Sequence, residues 1–145
     1  MAEKDYDMKM HTAEHILNSV MHRMFNCGRS FRSHIEKKKS KCDYHFDRML
    51  TGNELKEVEE AVNEIISKNI IVTTEFISRA EAESKYFTGK LPADAGDHIR
   101  IVKIGSYDAC PCIGPHVKTT SEIGKFSVST ADFSNEILRI RYKLG

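Results

Sequence analysis

The chain has 145 residues, 40% of them hydrophobic, enough for one domain with a real core and short for two. Its 22 Lys and Arg against 21 Asp and Glu leave a net charge of +1, which excludes a global field drawing it to nucleic acid or to an anionic membrane, so any RNA contact must use local patches. No stretch approaches the roughly 18 consecutive apolar residues of a membrane span, and Met1-Ala2-Glu3-Lys4-Asp5 lacks a signal peptide's apolar run, so a soluble cytoplasmic domain over 1–145 is expected.

Taken in order, Met10, Ala13, Ile16, Leu17, Val20, Met21 and Met24 recur at three-to-four spacing and predict an amphipathic helix from about Asp7 to Asn26. Stepping about 100° per residue puts His11, His15 and His22 in a stripe roughly opposite those apolar side chains. The stripe reads either as a solvated polar face or as a site. His11 and His15 are four residues apart, so their rings sit one above the other about 6 Å apart and can share a metal ion. His22 is two turns further on, roughly 10 Å along the axis, and reads as structural.

Cys27-Gly28 ends this helix. The four cysteines, Cys27, Cys42, Cys110 and Cys112, are too sparse for a disulfide-stapled scaffold and are expected to be reduced, with Cys27 and Cys42 plain packing residues. From Ser30 to Asp47 period-two alternation on both sides of a lysine-rich tip predicts a hairpin. That tip, Lys37-Lys38-Lys39 with Lys41, reads as a solvated turn or as a grip on a phosphate backbone.

Thr51-Gly52-Asn53-Glu54 is a capping box opening a second helix that should end near Asn69. Ile70 to Ile77, rich in β-branched residues, predicts a buried strand, and Ser78-Arg79-Ala80-Glu81 caps a short helix reaching about Tyr86. Gly89 to Gly96, with Pro92, reads as a loop, and His98 to Ile104 as a strand leading into Tyr107-Asp108-Ala109-Cys110-Pro111-Cys112. Lys125 to Thr130 and Ile137 to Tyr142 alternate as strands, with Arg139 and Arg141 on one face and Leu138, Ile140 and Tyr142 on the other. The expected fold class is therefore α+β: two layers, a mainly antiparallel or mixed sheet with helices packed on one side.

The chemistry concentrates where His11-x-x-x-His15 meets the distant Cys112-Ile113-Gly114-Pro115-His116. Three imidazoles and one thiolate are a donor set that suits Zn²⁺ in tetrahedral coordination. Four protein ligands would make such a zinc structural; a water in one position would make it catalytic, able to polarise a carbonyl or acidify water for ester hydrolysis. His11-Thr12-Ala13-Glu14-His15 also fits the H-x-x-E-H of inverted zinc proteases, but three fixed positions in five residues are a weak signal, and Cys112 and His116 have no part in that scheme.

The stretch His11-Thr12-Ala13-Glu14-His15-Ile16-Leu17 resembles the opening motif of the alanyl-tRNA synthetase editing domain, and Cys112 to Gly124 resembles its second half. Between them His45-Phe46-Asp47, then Glu59, Asn63 and Ile65, are similar to its hairpin end and following helix. The similarity runs from about Met10 to Tyr142, and the chain resembles the freestanding AlaX-type proteins of that family. The resemblance implies the synthetase editing-domain fold, a zinc ion held at His11, His15, Cys112 and His116, and hydrolysis of mischarged tRNA: serine, and with it glycine, removed from alanine tRNA. Gly114-Pro115 is closer to the related threonyl-tRNA synthetase domain, which clears serine from threonine tRNA, whereas Lys118 to Gly124 is closer to the AlaX proteins.

Within that resemblance Thr12 and Glu14 are the catalytic candidates, the first offering a hydroxyl to substrate or water, the second a carboxylate beside the histidines. His34, His45 and Cys110 are the candidate substrate contacts; Cys110 stands where relatives carry an acidic residue, and His34 where alanyl synthetases place a glutamine. Arg32, Lys37, Lys38, Lys39, Arg139 and Arg141 are the candidate tRNA contacts, with Arg29 beside them. A non-catalytic, metal-stabilised module that binds tRNA or a protein is the competing expectation. Nothing in the composition sets the oligomeric state, or decides whether His116 is a ligand or a base.

Overall fold

The computed structural model describes residues 8–86, 96–112 and 114–145. The loop expected over Gly89 to Gly96 falls almost entirely outside these residues, as do Ile113 and the first five residues considered above. The elements in order are α1 (Met8–Phe25), β1 (Arg32–His34), β2 (Ser40–His45), α2 (Gly52–Ser67), β3 (Val72–Ser78), α3 (Arg79–Lys85), β4 (His98–Ile104), β5 (Asp108–Pro111), a 3₁₀ turn (Thr120–Ile123), β6 (Phe126–Ser134) and β7 (Ile137–Leu144).

The architecture is α+β with every strand pairing antiparallel, and the strands divide between two sheets. One sheet runs β1-β2-β7-β6, the other β3-β4-β5. The main core lies where the four-stranded sheet meets α1 and α2. Ile16, Leu17 and Met21 of α1 and Val58 and Val62 of α2 are buried with Tyr44, Leu138, Ile140 and Tyr142 of the sheet. Burying a Leu- or Ile-sized side chain is worth about 1.5–3 kcal/mol, so this cluster dominates the stability of the domain.

Both predicted caps form. Thr51 Oγ1 accepts from Glu54 N at 3.1 Å while Glu54 Oε1 accepts from Thr51 N at 2.8 Å, and Ser78 Oγ accepts from Glu81 N at 3.1 Å. α1 ends as its sequence indicates: Asn26 and Gly28 take positive φ, 55° and 79°, and His22 Nδ1 accepts the Gly28 N–H at 3.1 Å. All four cysteines are free thiols, with Cys42 wholly buried in the main core.

Two expectations change, at β3 and at the last hairpin. The strand predicted as buried over Ile70 to Ile77 is largely exposed, with Phe76 67% and Ile71 63% accessible. Its β-branched composition reflects strand propensity, but β3 is the outer strand of the smaller sheet, so few neighbours cover it. Of the two readings left open for the histidine stripe of α1, the solvated face does not hold for His11 and His15, which are buried, whereas His22 is exposed. Every residue from Met10 to Met21 is buried, because the apolar side packs on the four-stranded sheet and the polar side meets β5 of the second sheet. The last hairpin is also longer than its alternation suggests. β6 continues to Ser134 through a bulge between Val128 and Thr130, and Asn135 and Glu136 turn the chain with both φ positive, 53° and 62°.

Candidate metal centre

Two elements deliver the candidate ligands. One is the helix α1, which carries His11 and His15 a turn apart. The other is β5 and the loop after it, which carry Cys112 and His116. The β4–β5 turn that aims this strand depends on Gly105 at φ +52°, where a Cβ would meet Ile70 Cγ2 at 2.6 Å. Beyond His116 the chain is anchored by Val72 N to Lys118 O at 2.8 Å and by Thr120 Oγ1, which accepts the Ile70 N–H at 2.8 Å beside the last carbonyls of α2.

The donor atoms of His11, His15, Cys112 and His116 all lie within 4.8 Å of one another. Cys112 Sγ is 3.2 Å from His11 Nε2 and 3.4 Å from His116 Nε2. The rings of His11 and His116 stack with centroids 4.4 Å apart, and His15 meets His116 edge-on at 4.4 Å. Ligands bonded to zinc at about 2.0–2.1 Å for nitrogen and 2.3 Å for sulfur stand about 3.5 Å from one another in a tetrahedron, so the two separations from Cys112 Sγ already fit one shared ion, and the remaining donors lie near enough to close on it with small ring movements.

Thr12 supplies a second test of fit. Its Oγ1 is 2.8 Å from Met8 O, 3.2 Å from Val117 N and 2.9 Å from His116 Nδ1. A hydroxyl has one proton and two acceptor positions. Donating to Met8 O and accepting from Val117 N, Thr12 has one lone pair left, which takes the Nδ1 proton of His116. That fixes the tautomer and leaves the Nε2 lone pair facing Cys112, as a metal-binding histidine requires. Burial, with His11 and Arg100 adding to it, pushes the His116 pKa down to about 3, so the ring is neutral near pH 7.

A second polar group borders the first. Cys110 Sγ lies 3.3 Å from His15 Nδ1, and Asp108 Oδ2 lies 3.9 Å from the same nitrogen. Arg29 holds Asp108 through two hydrogen bonds, of 2.8 and 3.3 Å. Burial raises the Cys110 pKa, which makes it a neutral thiol. Glu14 is buried 3.8 Å from His11 Nε2; its Oε2 accepts from Ser33 Oγ at 2.7 Å, with Ser30 Oγ and Asn18 Nδ2 each 3.5 Å away. Tyr44 Oη and Ser30 N both donate to Asn18 Oδ1, at 2.8 and 3.1 Å.

Of the residues singled out in the sequence, Thr12, Glu14 and Cys110 therefore come together with the four candidate ligands. His34 and His45 do not. Alternation along β1 turns Ser33 toward Glu14 and His34 away from it, where His34 pairs with Glu36 at 2.6 Å. His45 stacks on Phe31 at an exposed strand end, with ring centroids 3.9 Å apart. Arg32 and Arg139 both bond Asp43, each through Nε at 2.7 Å, and Arg141 pairs with Asp132 at 2.8 Å. Lys37, Lys38 and Lys39 are exposed at the hairpin tip. Sequence reasoning missed Ser33, Asn18 and the Arg29–Asp108 pair. Only the first had a visible signal, the same alternation that separates it from His34.

Fold and donor set together define an α+β domain built round a buried His/Cys group of metal-binding character. Residues 99–139 match the family described as the threonyl and alanyl tRNA synthetase second additional domain. The chain is also similar to alanine-tRNA ligases. It is 35% identical over 140 residues to that of Fervidobacterium nodosum, 33% over 148 to that of Methanococcus vannielii and 30% over 146 to that of Aeropyrum pernix. Each match covers 95% of this chain and 16% of the relative's length. The chain is thus similar over nearly its whole length to one segment of alanine-tRNA ligases, and its residues 99–139 carry a match to a domain described for both threonyl and alanyl tRNA synthetases. No helix among the described residues is long and apolar enough to cross a membrane.

Proposed function

We propose that residues 1–145 act as one editing domain that hydrolyses the ester between a wrong amino acid and the 3′-terminal ribose of tRNA in the cytoplasm, with Ser-tRNA(Ala) the main substrate and Gly-tRNA(Ala) a second. The observation that carries this reading is the buried convergence of His11, His15, Cys112 and His116 in a domain similar to alanine-tRNA ligases over 95% of its length.

These four residues would hold Zn²⁺, which, when bound and able to accept one further ligand, would supply Lewis acidity toward an ester carbonyl and make water a better nucleophile at neutral pH. The remaining work falls to the chain itself. Thr12 keeps the Nδ1 proton of His116 in place, so this ring serves as a ligand rather than a base. Glu14, held by Ser33, would serve as the base that takes the proton lost by the attacking water. The water oxygen bonds to the acyl carbon, the ester C–O bond breaks, and the ribose oxygen takes up a proton. Cys110, a buried neutral thiol beside His15, helps to keep bulk solvent from that ring. Lys37, Lys38 and Lys39 are the phosphate contacts this reading favours, since Arg32, Arg139 and Arg141 are already engaged by Asp43 and Asp132.

The test is deacylation of Ser-tRNA(Ala), Gly-tRNA(Ala) and Ser-tRNA(Thr) by zinc-loaded protein, with and without chelator. Chelator-sensitive release of serine from the alanine tRNA is expected. Release from the threonine tRNA alone moves the protein to the other branch, and no release from any of them leaves a metal-stabilised binding module. His15→Ala and Cys112→Ala should each lose most of the bound zinc, measured by elemental analysis; unchanged content in both would sink the ligand assignment.

A further inference from the structure

The register of the smaller sheet places one exposed aromatic beside the candidate centre. Phe76 of β3 pairs with Arg100 of β4. On the other side of Arg100 the β4–β5 register, Ile101 with Pro111 and Val102 with Cys110, continues to Cys112, whose N–H bonds Arg100 O at 3.2 Å. Residues directly opposite in adjacent strands share a face, so Phe76, Arg100 and Cys112 form a row across the sheet. That face is the one turned to α1, because Cys112 meets His11 and Cys110 meets His15 on it.

Along the row the surroundings open outward. Cys112 is half-buried and touches the histidines, Arg100 is half-buried and bonds Gly114 O, and Phe76 is 67% exposed. Arg100 Nε is buried with no hydrogen-bond partner among the described residues. Thr74 and Ser78, which flank Phe76 on the same face, are exposed too. Phe76 is the most exposed large hydrophobic among the described residues, so its ring face is open to a ligand.

We propose that this row is the seat of the terminal nucleotide of a single-stranded RNA 3′ end, its base stacked on Phe76 and its phosphate facing Arg100. Two strand spacings separate Phe76 from Cys112, about 10 Å between their backbones, a span that one nucleotide bridges with its ribose at the ligand cluster and its base over the ring. Single-stranded RNA is recognised by such means: aromatic faces stack on bases without regard to sequence, and a guanidinium offsets the backbone charge. A chain of net charge +1 needs that local pairing, because it has no broad positive field. The inference rests on the editing reading for the identity of the RNA, but the binding itself does not depend on turnover.

The chain contains no tryptophan, so Phe76→Trp introduces a unique fluorophore at the proposed seat. Titrating zinc-loaded Phe76→Trp protein with a short oligoribonucleotide ending in CCA should quench its emission, and the same oligonucleotide with an abasic terminal nucleotide should bind about tenfold more weakly. In parallel, Phe76→Ala should raise the KM for mischarged tRNA about tenfold, the loss falling on KM more than on kcat. Equal quenching by the two oligonucleotides, or none by either, overturns the proposal, as does an unaltered KM in an active Phe76→Ala protein. Base-dependent quenching by a protein that deacylates nothing would support the seat and overturn the editing reading alone.

Discussion

The two sheets are built to different standards. The four-stranded sheet packs on α1 and α2 through a continuous buried cluster, whereas the three-stranded sheet has a small satellite core of Ala82, Ile99 and Ile101 and an outer strand left open. The difference separates stability from chemistry. The first sheet fixes α1 by its apolar side, and the second brings Cys110, Cys112 and His116 to the polar side of the same helix. A site made at such a seam takes rigidity from one layer and access from the other.

The sharpest way to break this comparison is a pair of cavities. Leu138→Ala in the large core should cost about 3–5 kcal/mol, and Ile99→Ala in the satellite about 2 kcal/mol, read from urea melts; equal losses would mean that the smaller sheet is no less integral than the larger. A smaller effect is expected at the seam. Thr12→Val removes the acceptor for His116 Nδ1 and should weaken zinc binding about 10–100-fold by competition titration, and zinc affinity equal to wild type would show that Thr12 does not orient the ring.

The mildest test lies wholly within the four-stranded sheet. Hydrogen bonds from Arg139, resisted by burial and helped by Arg32, hold the Asp43 carboxyl below the usual carboxylate range. A lowered folded pKa means that Asp43 stabilises the fold above its unfolded value near about 3.9, and that this contribution is lost as pH falls through the folded value. Asp43→Asn should therefore cost about 1 kcal/mol at pH 7, since its arginine partners are partly exposed, and the gap from wild type should close in acid. A gap that widens in acid would contradict the ion-pair origin.

The sequence carried the elements well wherever a local rule governs them. The capping residues Thr51 and Ser78, the alternation either side of the lysine tip and the apolar repeat of α1 all depend on neighbours within a few positions. What stayed hidden depends on a second layer. Periodicity reveals that His11 and His15 lie opposite an apolar face, but it reports only one packing surface, so a helix covered on both sides looks the same as one half in water. The open strand β3 errs in the opposite direction: Thr73, Thr74 and Phe76 carry strand propensity yet are exposed, because propensity is silent about what lies on top. Glu14 is the hardest case. Its place beside the histidines marks it as a candidate in the sequence, but Ser33 and Ser30, which approach its carboxylate from outside the helix, have no local pattern that ties them to it.

The placement of β7 bears on how the domain is made. This last strand lies between β2 and β6, and its Tyr142 hydroxyl bonds Met10 O at 3.0 Å, next to His11. The centre of the larger sheet and the brace of the ligand-bearing helix are thus supplied by residues about 130 positions from the helix they hold. A nascent chain that has not yet released residue 142 from the ribosome has no middle strand to join β2 to β6, and its histidines wait on an unbraced helix. The larger sheet and the brace on the ligand-bearing helix are thus completed only once this long loop closes, a non-local contact of the kind that slows folding.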